Sequence, residues 1–155
     1  MHIRLCYTSS WKGEQRDLLE DLNHILSCSR EFNSNNQING VLYYADGSFF
    51  QCLEGEKLSV IYLFEKIKTD IRHSNIIDFG FDPIHEISFK KWSMKYVQKK
   101  TDIDLFFKAL GYGSFSPQAL DKTTLPLFIE KLIKTDQTKI RKRIGLNNRG
   151  INPFL

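Results

Sequence analysis

The sequence is poor in the residues that staple, break or span. Its 155 residues include three cysteines, four prolines and four histidines. Cys6, Cys28 and Cys52 are odd in number and far apart, which fits neither a disulfide framework nor a zinc pattern. Each is expected to be a small, reduced, buried hydrophobe. The histidines are scattered, so no metal site is expected. No run of about 18 apolar residues occurs, which argues against a membrane helix. The opening MHIRLCYTSS lacks the charged-then-apolar layout of a signal peptide and points to the cytoplasm. Extreme charge is missing as well. A net charge of +4, with 26% charged residues, permits a nucleic-acid partner without arguing for one. The 41% hydrophobic content is ordinary for a soluble chain with one core.

What is present is periodicity. Residues 2–7 alternate, with Ile3, Leu5 and Tyr7 on one face and Arg4 and Cys6 on the other, as in a strand. Residues 17–32 place Leu18, Leu22, Ile25, Leu26 and Phe32 at helical spacing. The run 33–39, rich in Asn and Ser, reads as a loop. The stretch GVLYYADGSFFQCLEG, residues 40–55, is a β-hairpin around the turn signal Asp46-Gly47. Residues 59–71 form a second amphipathic pattern through Val60, Leu63, Phe64, Ile67 and Ile71. Two more strands follow, at 76–81 and at 89–97, the latter with Trp92, Met94 and Tyr96 on one face. The order is βαββαβ plus one added strand. That predicts an α+β, ferredoxin-like sheet with two helices on one face.

Beyond residue 99 the character changes to a helical appendage. Thr101 and Asp102 cap a short helix through Phe106 and Leu110, and GYGSFS at 111–116 is a turn region. Ser116-Pro117 opens another short piece. Residues 124–133 form a longer helix with Leu127, Phe128 and Leu132 inward. KIRKR at 139–143 is a basic cluster, and the Gly- and Asn-rich end reads as mobile. The expected division is a sensor-sized domain at 1–99, an appendage at 100–135 and a basic tail at 136–155. No output enzyme is evident.

Two polar groups fall on faces that should be buried. Gln51 is in phase with Phe49 and Leu53, and Tyr7 with Ile3 and Leu5. A buried amide is costly without partners. In this fold the two strands are neighbours, so phenol and amide can meet beneath the helices. A purely structural pairing would satisfy both groups equally well.

The motifs LCYTSS, SREFN, INGVLYYADGSFFQCLEG, DIRHSNI and FKKWSMKY, in this order and spacing, resemble the BLUF family of blue-light sensors that bind FAD. The resemblance runs from about Ile3 to Val97. It implies a flavin between the two helices, wedged by Ile25 and Ile67. Tyr7 matches the family's photoactive tyrosine and Gln51 its switching glutamine. Asn33 matches the asparagine holding the polar ring edge, although an Asn there also suits a helix C-cap. Lys66 stands where several members carry Arg, and a point charge is not a planar fork. Asp70, Arg72 and His73 would meet the ribityl or phosphate groups, with a solvated helix end the plainer role for Asp70. Asn39 replaces the usual Thr, with little effect expected. Trp92 and Met94 are implied to relay the signal, and both also suit a core.

The implied mechanism is non-covalent. On excitation Tyr7 gives up an electron and a proton and regains both, leaving Gln51 rotated or tautomerised. The output would go to a cytoplasmic protein, most plausibly a transcriptional regulator, with a homo-oligomer possible. One rival is a nucleic-acid-binding module of the same βαββαβ plan. FFQCLEG lacks that module's basic and glycine pattern. A small ferredoxin-like enzyme is the other rival, and fold alone does not exclude it. Nothing resembling a nucleophile-base arrangement supports it, and Glu54 beside Gly55 is a weak lead.

Overall fold

The computed structural model describes residues 1–97 and 100–137. The basic cluster and the end of the chain lie outside the described residues. Five strands and four helices follow in the order β1 (His2–Trp11), α1 (Leu18–Asn35), β2 (Asn39–Ala45), β3 (Ser48–Glu56), α2 (Lys57–Ile67), β4 (His73–Pro83), β5 (Lys95–Val97), α3 (Lys100–Ala109) and α4 (Thr124–Lys134). The sheet order is β4-β1-β3-β2-β5. All pairings are antiparallel except β2 with β5. This is the expected ferredoxin-like plan with one added strand.

The hairpin forms where the dipeptide predicts it. Asp46 and Gly47 both have positive φ, 51° and 83°, the geometry of a tight turn matching the twist of the flanking strands. Gly40 is required by close approach, because a Cβ there would lie 2.3 Å from the Cys52 carbonyl oxygen.

Strand alternation splits the side chains into two cores. Ile3, Leu5, Tyr7, Leu42, Phe49 and Leu53 face α1 and α2 and pack against Leu22, Ile25, Leu63 and Ile67. Cys6, Val41, Tyr43, Phe50 and Cys52 face the opposite way, onto Ile103, Phe107, Phe128 and Leu132 of α3 and α4. The appendage therefore covers the second sheet face. An RNA-reading sheet needs exposed aromatics there, and Phe50 and Tyr43 are buried.

Several boundaries differ from expectation. α1 runs three residues past Phe32, so Asn33 is helical. Gln37, at φ 54°, ends the helix, while the Ile38 and Gln37 amides close back on the carbonyls of Asn33 and Ser34 at 2.8 and 3.4 Å. The usual glycine signal for this ending is missing. α2 stops at Ile67, where Thr69 turns its hydroxyl onto the Lys66 carbonyl at 2.7 Å, and Ile71 points to solvent. β4 begins earlier and ends later than expected. β5 spans three residues rather than nine. The Asn39 amide explains this, donating to the carbonyls of Phe89, Lys90 and Trp92 at 2.9, 3.3 and 3.1 Å and holding that stretch as a turn. Asn39 thus carries structural weight that the sequence did not suggest. Cys6 and Cys52 are buried, but Cys28 is half-exposed.

α4 buries Phe128, Ile129 and Leu132, whereas Leu127 is 50% exposed and not inward as expected. Phe128 is the hub of the second core. Its ring centroid lies 4.8 Å from Phe50, 5.2 Å from Phe107 and 5.7 Å from Phe106. Phe128→Ala is expected to destabilise the chain by about 3–5 kcal/mol. Leu127→Ala should stay within about 0.5 kcal/mol. Urea unfolding of the two variants checks both values, and equal effects would refute this assignment of faces.

Candidate functional site

The register of β1 on β3 sets Tyr7 directly opposite Gln51, both on the face beneath α1 and α2. Both side chains are fully buried. The Tyr7 hydroxyl donates a hydrogen bond to Gln51 Oε1. That leaves the amide NH2 facing Met94 Sδ at 3.7 Å, a weak acceptor. Burial, and then the charge of Asp70, holds the Tyr7 pKa well above the ordinary 10.0. The phenol is therefore a neutral donor across the physiological range. Phe64 packs on its ring at 5.2 Å between centroids and His73 stands edge-on at 6.3 Å.

Ile25 of α1 and Ile67 of α2 are both fully buried in the same cluster as Tyr7. Asn33 lies in the last turns of α1, its own carbonyl fixed by the Ile38 amide. Its Nδ2 donates to the Ser93 carbonyl at 2.8 Å. Its Oδ1 is buried and has no partner among the described residues.

The end of α2 carries a polar cluster. Asp70 is buried and paired with Arg72, whose Nη2 and Nε donate to the two carboxylate oxygens at 2.6 and 3.0 Å. The solvated helix end expected for Asp70 is thus corrected to a buried ion pair. Arg72 Nη1 lies 3.2 Å from His24 Nδ1. A guanidinium only donates, so Nδ1 is the acceptor, and Nε2 carries the proton towards Cys28 Sγ at 3.7 Å. By the same logic His73 donates from Nε2 to the Ile67 carbonyl at 2.8 Å and accepts the Ser9 hydroxyl at Nδ1, at 2.9 Å.

Two expected residues are not brought to the centre. Lys66 is exposed, its ammonium over the Tyr62 ring at 5.4 Å. Trp92 is half-buried and lines a surface cleft with Lys95 and the end of α4, because the Asn39 contacts turn 89–92 away from the sheet. Residues the sequence did not single out are Ser9, His24 and Arg30, the last donating to the Met94 carbonyl at 3.1 Å. Each is joined to its partner only by the fold.

The two imidazoles give the cluster a pH signature. Burial first, with Arg72 in addition, holds His24 and His73 below the ordinary 6.5, while Asp70 opposes it. The unfolded chain then binds protons before the folded one, so stability is complete above about pH 7 and declines as pH falls through about 6.5. The urea midpoint is expected to drop between about pH 7 and pH 5.5, and His73→Gln should flatten part of that slope. A midpoint insensitive to pH in this window would overturn the assignment of neutral imidazoles.

Taken together, the buried apolar cluster beneath α1 and α2 is edged by a carbonyl oxygen on Asn33 with no partner among the described residues and by a Gln51 amide NH2 facing only a weak acceptor. A flat, uncharged heteroaromatic ring with N–H and C=O groups along one edge suits these donors and acceptors. A flavin has that edge, and the residues present fit it.

A family model described as BLUF, sensors of blue-light using FAD, matches residues 2–95. Among solved structures, BlsA in its ground state superposes with a TM-score of 0.87 at 48% identity, covering 93% of this chain and 95% of that one. Its photo-activated state gives 0.86 at 50% identity, with coverage of 90% and 99%. The BLUF protein BlrB in its dark state gives 0.71 at 26% identity, covering 85% of this chain and 94% of that one. The beta subunit of a photoactivated adenylate cyclase from Euglena longa is 33% identical over 75 residues, 48% of this chain. The chain spans 9% or less of the length of the curated cyclase relatives it matches. From the matched segment, the fold and the buried Tyr7–Gln51 pair alike, the chain belongs to the BLUF family of flavin-binding blue-light sensors.

Proposed function

We propose that the chain binds FAD between α1 and α2 and passes a rearrangement of the Tyr7–Gln51 pair to a partner protein. The observation that carries this reading is the buried phenol-to-amide hydrogen bond beside an amide NH2 that, among the described residues, faces a thioether. Flavin supplies light absorption and electron acceptance. Tyr7 would supply the electron and proton to a bound flavin, and burial, with the charge of Asp70, holds its phenol neutral. Gln51, which accepts from Tyr7 and faces Met94, would be the amide that rearranges. Asn33 Oδ1 would be the acceptor offered to a bound flavin, and Ile25 and Ile67 would flank it. Asp70, Arg72 and His73 form the polar end, while Lys66 and Trp92 play a lesser part than the family pattern implies. No covalent bond forms in this scheme, so the rearranged state would revert in the dark.

The sensor unit in this reading is 1–99, with 100–135 as the appendage and 136–155 as the tail. In this reading the unit is a sensor, and it corresponds to only a small part of the photoactivated adenylate cyclase subunits it resembles. The output runs from Gln51 through Met94 and β5 to the second core and on to a cytoplasmic partner, for which a transcriptional regulator remains the best candidate. Two copies of the chain could act together. Among the described residues no helix is long and apolar enough to cross a membrane.

Purified protein should be yellow, release FAD on denaturation, and show a small reversible red shift in blue light. Release of FMN instead would correct the cofactor, and a folded protein unable to take up any flavin would overturn the reading. Tyr7→Phe and Gln51→Leu should keep flavin and lose the shift, since they remove the oxidisable phenol and the switchable amide. A normal shift in either would show the switch to be misplaced. Asn33→Ala should weaken flavin retention by about 1–3 kcal/mol, the usual cost of an unpaired buried polar group. Equilibrium titration with FAD measures this loss.

A further inference from the structure

Residues 93–96 are where the two cores meet. On the side of the first core, the Ser93 and Met94 carbonyls accept from Asn33 and Arg30 of α1, and Met94 Sδ lies 3.7 Å from the Gln51 amide. Lys95 points the other way, as strand alternation requires. Its side chain is buried, 4% exposed. Its ammonium donates to the carbonyls of Leu132 and Ile133, at 3.0 and 3.1 Å, in the last turn of α4. The neighbouring Tyr96 amide reaches Gln137 Oε1 at 3.4 Å.

A buried ammonium is costly unless its protons are satisfied. These carbonyls are among the four that a helix leaves unpaired at its C-terminus, and they sit at the negative end of its dipole. Burial lowers the Lys95 pKa, with Asp136 opposing it. Lysine is a point charge on a flexible stem, so it can hold two carbonyls at once without a fixed plane. The arrangement is sensitive to small displacements. A shift of about 1 Å takes both contacts beyond hydrogen-bond range.

We propose that Lys95 is the latch between the switch and the output layer: its ammonium holds the last turn of α4 on β5, and displacement of Met94 by Gln51 withdraws it. Lys95 is a positioning residue and touches neither Tyr7 nor Gln51 in this scheme. The moving part is the end of α4, beside the cleft lined by Trp92, Lys90 and Lys134. The proposal rests on the reading of Gln51 as the light switch.

The test uses flavin-loaded full chain and two readouts. Absorbance reports the switch, and amide hydrogen exchange in residues 130–135 reports the latch. In the unsubstituted protein, light should leave the red shift intact and speed exchange in that turn by about tenfold. Lys95→Met keeps the unbranched stem and removes the charge. It should retain the red shift, exchange fast in the dark, and gain nothing more in light. Lys95→Arg should preserve a light-dark difference. A light-dark difference that survives in Lys95→Met overturns the latch. So does identical exchange of this turn in dark and lit unsubstituted protein, a result that needs no variant to fold. Loss of the red shift in unsubstituted protein overturns the switch reading, and the latch with it.

Discussion

The pairing of β1 with β3 in one register is the constraint on which the site depends. It places Tyr7 opposite Gln51, Leu5 opposite Leu53 and Cys6 opposite Cys52. A slip of one residue would turn Tyr7 out of the first core and Cys6 into it, since side chains alternate along a strand. Gln51 is flanked on its own face by Phe49 and Leu53, and Tyr7 by Leu5 on one side, so a slip would carry these large apolar groups out of the first core. The hydrophobic pattern therefore enforces the phenol-to-amide contact, although neither partner is hydrophobic. The turn at Asp46-Gly47 fixes the partner register of β2 on β3, setting Leu42 beside Gln51. Tyr96 of β5 follows beside Leu42. One row across the sheet thus runs from Tyr7 through Gln51 to β5.

Buried charge holds the ends of this row. Glu54 is fully buried and accepts from Arg4 at 2.7 Å and from the Ser88 and Phe89 amides at 2.9 and 3.0 Å. Its role is structural: it ties the loop before β5 to the sheet. At the other end Asp70 and Arg72 do the same for the turn after α2. Neither pair is a strong source of stability, because desolvation offsets much of the Coulombic gain. Their contribution is position. Asp70 and Arg72 close a segment beside the first core, and Glu54 closes one that delivers Phe89 to the second, both of which local propensity alone would leave loose.

The parts legible in the sequence were those decided locally. Alternation gave the strands and their faces, the dipeptide gave the hairpin, and helical spacing put Ile25 and Ile67 inward. The misses have long-range causes. The apolar alternation of Trp92, Met94 and Tyr96 reads as one strand, yet Asn39, some fifty residues earlier, bends the first part of it away. Asn33 reads as loop because its helix ends without a glycine. Leu127 reads as inward because a stripe at 127, 128 and 132 and one at 128, 129 and 132 differ by a small rotation. Asp70 looked solvated because its partner and its burial come from the fold. Lys95 offered no signal, as the carbonyls it holds belong to a helix near the far end of the described chain.

Magnitudes decide how such a sheet can carry a signal from one face to the other. Coupling between sites is commonly about 1–3 kcal/mol. Lifting α3 and α4 from the sheet would expose Phe107, Phe128 and Leu132, all fully buried. Exposing each such core side chain costs about 1.5–3 kcal/mol, and several would be exposed at once. Wholesale detachment of the layer is therefore beyond what a rearranged amide can drive. A contact that exchanges a few hydrogen bonds is within reach, since each contributes about 0.5–1.5 kcal/mol, and more when charged. β5 meets this condition better than the longer strands. It is three residues long and pairs with one neighbour, so its displacement disturbs few ladder bonds. Met94 and Lys95, adjacent in sequence and opposite in direction, make it a lever between the cores. The aromatic hub around Phe128 stays as the fixed point against which the end of α4 moves.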